Sequence, residues 1–166
     1  MARVAAVDIG TNSTRLLVAD VDRGQIGDVE RATRITRLGE GVDARGRLLP
    51  VPVARVRNAL SDYRRTLESL GAERTLAVAT SAVRDAENGE AFLGEVEWGY
   101  GFVTRLLSGD EEAQLTFLGA MSGRESALAS QWPALVVDIG GGSTEFVVGE
   151  DHMAGFHTSC QSGSCA

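Results

Sequence analysis

Val7-Asp8-Ile9-Gly10-Thr11-Asn12-Ser13-Thr14 and, 130 positions later, Val137-Asp138-Ile139-Gly140-Gly141-Gly142-Ser143-Thr144 are two versions of one unit. Apolar, β-branched runs flank each copy: Val4 to Val7 and Leu16 to Ala19 around the first, Leu135 to Val137 and Phe146 to Val148 around the second. A strand that turns through an Asp and small residues and leaves on another strand is a β-hairpin. Small side chains at such a turn let several backbone N–H groups approach one anion, and an Asp at the strand end can hold a cation or a water of its shell. Two such loops in one chain predict a phosphate-bearing ligand held between two similar lobes.

Outward from the first hairpin, Asp28 to Leu38 mixes β-branched and charged residues and predicts a third strand, followed by a Gly/Asp-rich turn from Gly39 to Gly46. Val53, Val56, Leu60, Tyr63, Leu67 and Leu70 keep helical spacing, with Pro52 suited to a first turn and Gly71 to the position just past the end. Thr75 to Thr80 predicts a short buried strand, Asn88 a cap for a helix through Val96, and Phe102 to Leu107 another strand. Ser108 opens a helix to about Ser122. The order β-β-β-α-β-α-β-α indicates an α/β sheet with helices packed on it. Residues 1–123 are expected to form the first lobe, 124–133 a connection, and 134–166 the start of a second. After Trp132 too little chain remains for a lobe of equal size, so the second is expected to stop short.

All sixteen basic residues are arginine, against 23 acids, for a formal charge of -7. A chain without lysine cannot hold a Walker-type P-loop. The acidic balance and the lack of a basic stripe argue against salt-driven nucleic-acid binding. A polyanion would instead need local compensation from a few arginines, oriented amides and a metal. Met1 to Ala5 leads directly into a strand, and no apolar run approaches membrane-spanning length, so a cytoplasmic protein is expected. In a reducing compartment Cys160 and Cys165 are expected to stay unpaired, and His152 and His157 read as ordinary tail residues rather than zinc ligands.

Four segments carry the candidate chemistry. The first loop offers amides, the hydroxyls of Thr11 and Ser13, the Asn12 side chain, and Arg15 on the emerging strand. A tight turn in which Asp and Asn satisfy the backbone is the bland alternative, and the duplication argues against it. In the second loop three consecutive glycines let the main chain come close to a ligand. Glu145 there replaces Arg15, which suits an anion between the lobes with a metal on the second side; a solvated Glu145 on a flexible hairpin is the alternative. Arg84, just past a buried strand in Ala79-Thr80-Ser81-Ala82-Val83-Arg84-Asp85-Ala86-Glu87-Asn88, can grip phosphate bidentately or pair with Asp85 or Glu87. Ser108-Gly109-Asp110-Glu111-Glu112-Ala113 opens a helix. Ser108 and Glu111 have the S-x-x-E spacing of a capping box, which accounts for Glu111 and leaves Glu112 as the candidate general base; complementing the helix dipole is its bland role.

D-I-G-T-N-S, T-S-A-V-R-D-A-x-N, S-G-D-E-E-A and D-I-G-G-G-S-T-E, in this order, resemble the exopolyphosphatase/guanosine pentaphosphate phosphohydrolase (Ppx/GppA) family within the actin, Hsp70 and sugar kinase superfamily. The resemblance covers nearly the whole chain. It implies an α/β, ribonuclease H-like lobe, a mixed sheet flanked by helices, plus the first hairpin of a truncated second lobe. It further implies release of the terminal phosphate of inorganic polyphosphate or the 5′ γ-phosphate of guanosine pentaphosphate (pppGpp), with Mg²⁺ or Mn²⁺. Carried over by position, Gly10, Thr11, Asn12, Ser13 and Arg15 would bind phosphate in one loop, and Gly140, Gly141, Gly142 and Ser143 in the other. Arg84 would grip phosphate, Glu112 would be the catalytic base, and Asp138, Glu145 and Asp8 would hold the metal or its waters. A non-catalytic polyphosphate-binding fragment and, more distantly, a sugar or acetate kinase are the competing readings. The second hairpin is expected to expose apolar edges at Leu135 to Val137 and Phe146 to Val148, which invite a homodimer. Neither nucleic acid nor membrane is expected as a partner.

Overall fold

In the computed structural model, which describes residues 1–122, 133–141, 143–150 and 153–161, the chain divides into two compact units, Met1–Leu106 and Leu107–Ala166. The first contains β1 (Ala2–Ile9), β2 (Ser13–Asp22), β3 (Gln25–Ile35), α1 (Val42–Arg45), α2 (Pro50–Leu70), β4 (Arg74–Ala79), α3 (Ser81–Arg84), α4 (Gly89–Tyr100) and β5 (Val103–Leu106). Its sheet has the order β3-β2-β1-β4-β5. β1, β2 and β3 pair antiparallel, and β1, β4 and β5 pair parallel. This is the ribonuclease H-like arrangement expected. The parallel register of Ile9 with Ala79 brings the C-terminal ends of β1 and β4 side by side, so the loops that follow them are neighbours.

Alternation along the strands makes the core. Ala5, Val7 and Ile9 of β1 face the same way as Thr14, Leu16 and Val18 of β2, and all six are buried. Across from them α2 buries Val56, Leu60, Tyr63 and Leu67, one stripe of a 3.6-residue repeat. Pro50 occupies the first turn of α2 and Gly71 ends it at φ 69°, a left-handed conformation that a Cβ would strain.

Several sequence expectations are corrected. The third strand begins and ends three residues earlier than Asp28 to Leu38, because the β2–β3 turn closes at Arg23-Gly24 and residues 36–39 leave the sheet to bond the first loop. Residues 42–45 and 81–84, read as connections, are short helices. Asn88 stands at the cap position of α4 without capping it. Its side chain instead accepts from Leu48 N–H (2.8 Å) and donates to Leu48 O (3.1 Å), pinning two loops together.

The second unit contains α5 (Gly109–Met121), β6 (Ala134–Ile139), β7 (Ser143–Glu150) and β8 (Met153–Gln161), with sheet order β6-β7-β8, antiparallel throughout. The second hairpin is therefore part of a three-stranded sheet. Phe146 to Val148 lies in its central strand and is not an edge, because β8, which looked like a polar tail, covers it. Ala113, Phe117 and Met121 of α5 pack with Val147 to form a separate small core. Gly149 is needed there, since a Cβ would lie 2.2 Å from Met153 O and 2.7 Å from the Phe117 ring. Gly142, His152, Cys165 and all of the expected 124–133 connection except Pro133 fall outside the described residues.

Candidate functional site

In the first unit the loop between β1 and β2 is clasped from outside. Gly10 N–H donates to Ser13 O (3.0 Å), closing the turn, so the part of Gly10 is conformational: a Cβ would stand 3.1 Å from that same oxygen. Residues 36–39 then take up the loop carbonyls. Thr36 N–H and Arg37 N–H both donate to Asn12 O (3.0 and 2.9 Å), and Gly39 N–H donates to Thr11 O (2.9 Å). In a trans peptide the N–H points opposite to the preceding C=O. Fixing the carbonyls of Thr11 and Asn12 toward the clasp therefore turns the N–H groups of Asn12 and Ser13 the other way, as an anion site requires. Gly39 permits this approach, because a Cβ on it would lie 2.3 Å from Thr11 Cγ2.

Behind the loop, buried Thr14 shares a 3.0 Å hydroxyl hydrogen bond with Thr36, and the Tyr63 hydroxyl donates to Thr14 O at 2.7 Å. Burial pushes the Tyr63 phenol above its ordinary pKa, so it stays a neutral donor. In front, the Thr11 and Ser81 hydroxyls lie 3.0 Å apart, joining the first loop to the segment that carries Arg84. That segment is itself fixed. Glu87 N–H donates to Gly46 O (2.9 Å), and a Cβ on Gly89 would meet Val83 O at 2.0 Å. Arg84 is exposed at the end of α3. Arg15, also exposed, stands opposite Asp8 in the β1–β2 register. The fold thus gathers Gly10 to Ser13, Asp8 and Arg15 at one hairpin and ties Arg84's segment to it.

In the second unit Gly140 N–H donates to Ser143 O (2.8 Å), the same turn as in the first. Asp138 stands opposite Glu145, as Asp8 stands opposite Arg15. Two carboxylates directly across a hairpin repel each other, and a divalent cation with retained waters would reverse the sign. Glu145 Oε1 also accepts from the Ser159 hydroxyl (3.1 Å), which orients it. Among the described residues no group of three or more His, Cys, Asp or Glu side chains could hold a metal, and Asp138 and Glu145 are the carboxylates this hairpin offers to one.

The first turn of α5 carries Glu112. Ser108 Oγ accepts from Glu111 N–H (3.2 Å), while Glu111 Oε2 accepts from Ser108 N–H (2.9 Å), the reciprocal capping box that the spacing predicts. Glu111 is thereby occupied with the cap. Gln114 Oε1 accepts from Ala154 N–H (2.8 Å), and His157 Nε2 lies 3.3 Å from Asp110, so β8 fixes the turn that presents Glu112. His157, read as a tail residue, belongs to this support.

Profile and fold comparisons agree with the geometry. A model of the Ppx/GppA phosphatase family matches residues 17–166. The chain belongs to the Ppx/GppA phosphatase family. It is 46% identical over 168 residues to Exopolyphosphatase 2 of Mycobacterium tuberculosis, covering 96% of this chain and 52% of that protein. A crystal structure of an exopolyphosphatase-like protein matches with TM-score 0.87 and 38% identity, over 96% of this chain and 50% of the other. The Aquifex aeolicus Ppx/GppA family member matches with TM-score 0.77 and 33% identity, over 96% and 51%. The chain spans about half the length of the relatives it matches. These similarities support the actin-like, ribonuclease H-like fold seen in the first unit.

Sequence reading missed the residues that position the loop. Thr36 and Gly39 touch it and Tyr63 holds Thr14 behind it, yet each looked like part of a strand, turn or helix, and Ser81, which also touches it, stood in the Arg84 segment without a role of its own. A Thr36 between Ile35 and Arg37 and a glycine three residues on were the only signals available.

Proposed function

We propose that the full-length protein is a metal-dependent phosphohydrolase that releases the terminal phosphate of inorganic polyphosphate. The observation that carries this is the pair of matching hairpins, one with Arg15 opposite its Asp and the other with Glu145, within a Ppx/GppA chain. pppGpp is the second candidate substrate of the family. We also take 1–123 and 134–166 as parts of two actin-like lobes and the protein as cytoplasmic; the open edge of β6 suits a second copy as partner.

In this proposal the amides of Asn12 and Ser13, with Thr11, Arg15 and Arg84, receive phosphate on the first-lobe side. Gly140, Gly141, Gly142 and Ser143 would do so on the second. Asp138 and Glu145 in the second unit, and Asp8 in the first, would hold Mg²⁺ or Mn²⁺ or its waters, and the charge of the ion would offset that of the phosphates when bound. Glu112 would take the proton of the attacking water. Phosphoryl transfer asks little covalent chemistry of a protein, so positioning and charge neutralisation dominate.

The test is phosphate release from polyphosphate and from pppGpp with Mg²⁺, by this chain and by a form extended through the second lobe. Release by the extended form is expected. Binding without release in that form would favour a non-catalytic binding module.

A further inference from the structure

Arg37 holds a backbone conformation that its side chain makes unfavourable. Its φ is 49°, in the left-handed region where glycine, asparagine and aspartate are usual. Arg23 is the other non-glycine residue with positive φ among those described, and it is explained by its place with Gly24 in the tight turn between β2 and β3. No hairpin turn requires it of Arg37. Its backbone is held from both sides. Arg37 N–H donates to Asn12 O (2.9 Å), and Arg37 O accepts from Glu40 N–H (3.0 Å) and from the Arg55 guanidinium (3.4 Å). Arg55 also donates to Thr36 O (2.7 Å) and pairs with Glu40, which fixes the segment further.

A glycine would meet every one of these backbone demands without strain. Arginine at this position therefore points to work done by the side chain. Strained residues persist where the surroundings over-determine them, and they gather at ligand sites. The Arg37 side chain is exposed, and among the described residues its guanidinium has no carboxylate partner. It departs from the backbone one bond away from the N–H that fixes Asn12 O. A cation there is adjacent to a loop whose free amides already suit an anion, in a chain whose net charge of -7 supplies no general attraction for one.

We propose that Arg37 is a phosphate-gripping side chain at the rim of the 10–13 loop, binding the same polyphosphate-class anion that the loop amides receive. This rests on the phosphate reading of that loop. A planar, five-donor guanidinium matches phosphate geometry bidentately, which an ammonium does not.

The deciding variant is Arg37→Gly, which removes the guanidinium and relieves the backbone. Its melting temperature is expected to equal or exceed that of the unsubstituted chain. Its affinity for inorganic tripolyphosphate, measured by calorimetry at low salt, is expected to fall at least tenfold. Arg37→Lys, which keeps both charge and strain, should fall between the two. A merely structural arginine would give the reverse pattern, with lower stability and unchanged binding. Unchanged tripolyphosphate affinity in Arg37→Gly, while the parent binds and Arg84→Ala weakens it, overturns the role of Arg37 alone. No binding by the parent chain or by its extended form overturns the loop's phosphate reading and Arg37 with it.

Discussion

In both hairpins the glycine after the strand isoleucine donates its N–H to the serine three residues on, at 3.0 Å for Gly10 and 2.8 Å for Gly140. In both an Asp stands opposite the residue two past that serine. The turns match, but their support does not. Ile9 is fully buried, whereas Ile139 is 79% exposed; Val7 is fully buried, whereas Val137 is 45% exposed. The first loop has Thr36, Arg37, Gly39 and Ser81 against it and Tyr63 on Thr14 behind it, whereas among the described residues the second hairpin has Ser159 on Glu145. One turn sequence is thus held by different surroundings in the two units, and under the proposed function the braced first loop is the one poised to receive an anion.

Substitutions in each half should separate these roles. The largest effect is expected from Glu112→Gln in a form extended through the second lobe. Phosphate release should fall about 10²–10⁴-fold while polyphosphate binding persists. Near-normal turnover would remove Glu112 from the role of base. Next, Asp138→Asn should raise the Mg²⁺ concentration needed for half-maximal release by about tenfold or more, since it halves the carboxylate pair. Arg15→Gln, at the matching position of the first hairpin, should raise the substrate requirement and leave that for Mg²⁺ alone. Equal Mg²⁺ dependence in both variants would mean that the hairpins do not divide the work in this way.

Smaller effects test the clasp. Gly39→Ala must displace Thr11, and a loss of about 1–3 kcal/mol of stability is expected by denaturant titration. Tyr63→Phe leaves Thr14 O short of a donor in a buried site, for a loss of about 1 kcal/mol. Unchanged stability in both variants would show that the loop does not depend on residues 36–39 or on α2. The smallest effect concerns acid. The Arg3 guanidinium bonds both Asp20 oxygens (2.8 and 2.9 Å) and holds the Asp20 carboxyl below its ordinary value. Because the folded value is depressed, the stabilisation is complete above the unfolded pKa of about 4 and is lost as pH falls through the folded one. Asp20→Asn should flatten that part of an acid denaturation curve, and a curve that superposes on the parent's would dismiss the pair.

The hairpins, α2 with Gly71, and the capping box that separates Glu111 from Glu112 were all legible in the sequence, because each rests on contacts between near neighbours in the chain. The clasp was not legible. Thr11 meets Ser81 across 70 positions and Asn12 meets Arg37 across 25, and no local periodicity marks either pair. Asn88 misled for a related reason: at a cap position the local role was the natural expectation, but Leu48 offered both a donor and an acceptor. β8 was missed because His157, Thr158 and Ser159 lack the apolar alternation of a strand, and pairing with β7 supplies what their pattern does not.

The parallel pairing of β1 with β4 has a consequence in time as well as in space. Antiparallel β1 and β2 are joined by a three-residue loop and can pair at little loop-closure cost, whereas pairing β4 with β1 requires the chain to close over some 65 residues. The hydroxyl contact of Thr11 with Ser81 therefore belongs to the slow, long-range part of folding. A phosphate bound there would contact groups that come together late, so it should slow unfolding far more than it speeds folding.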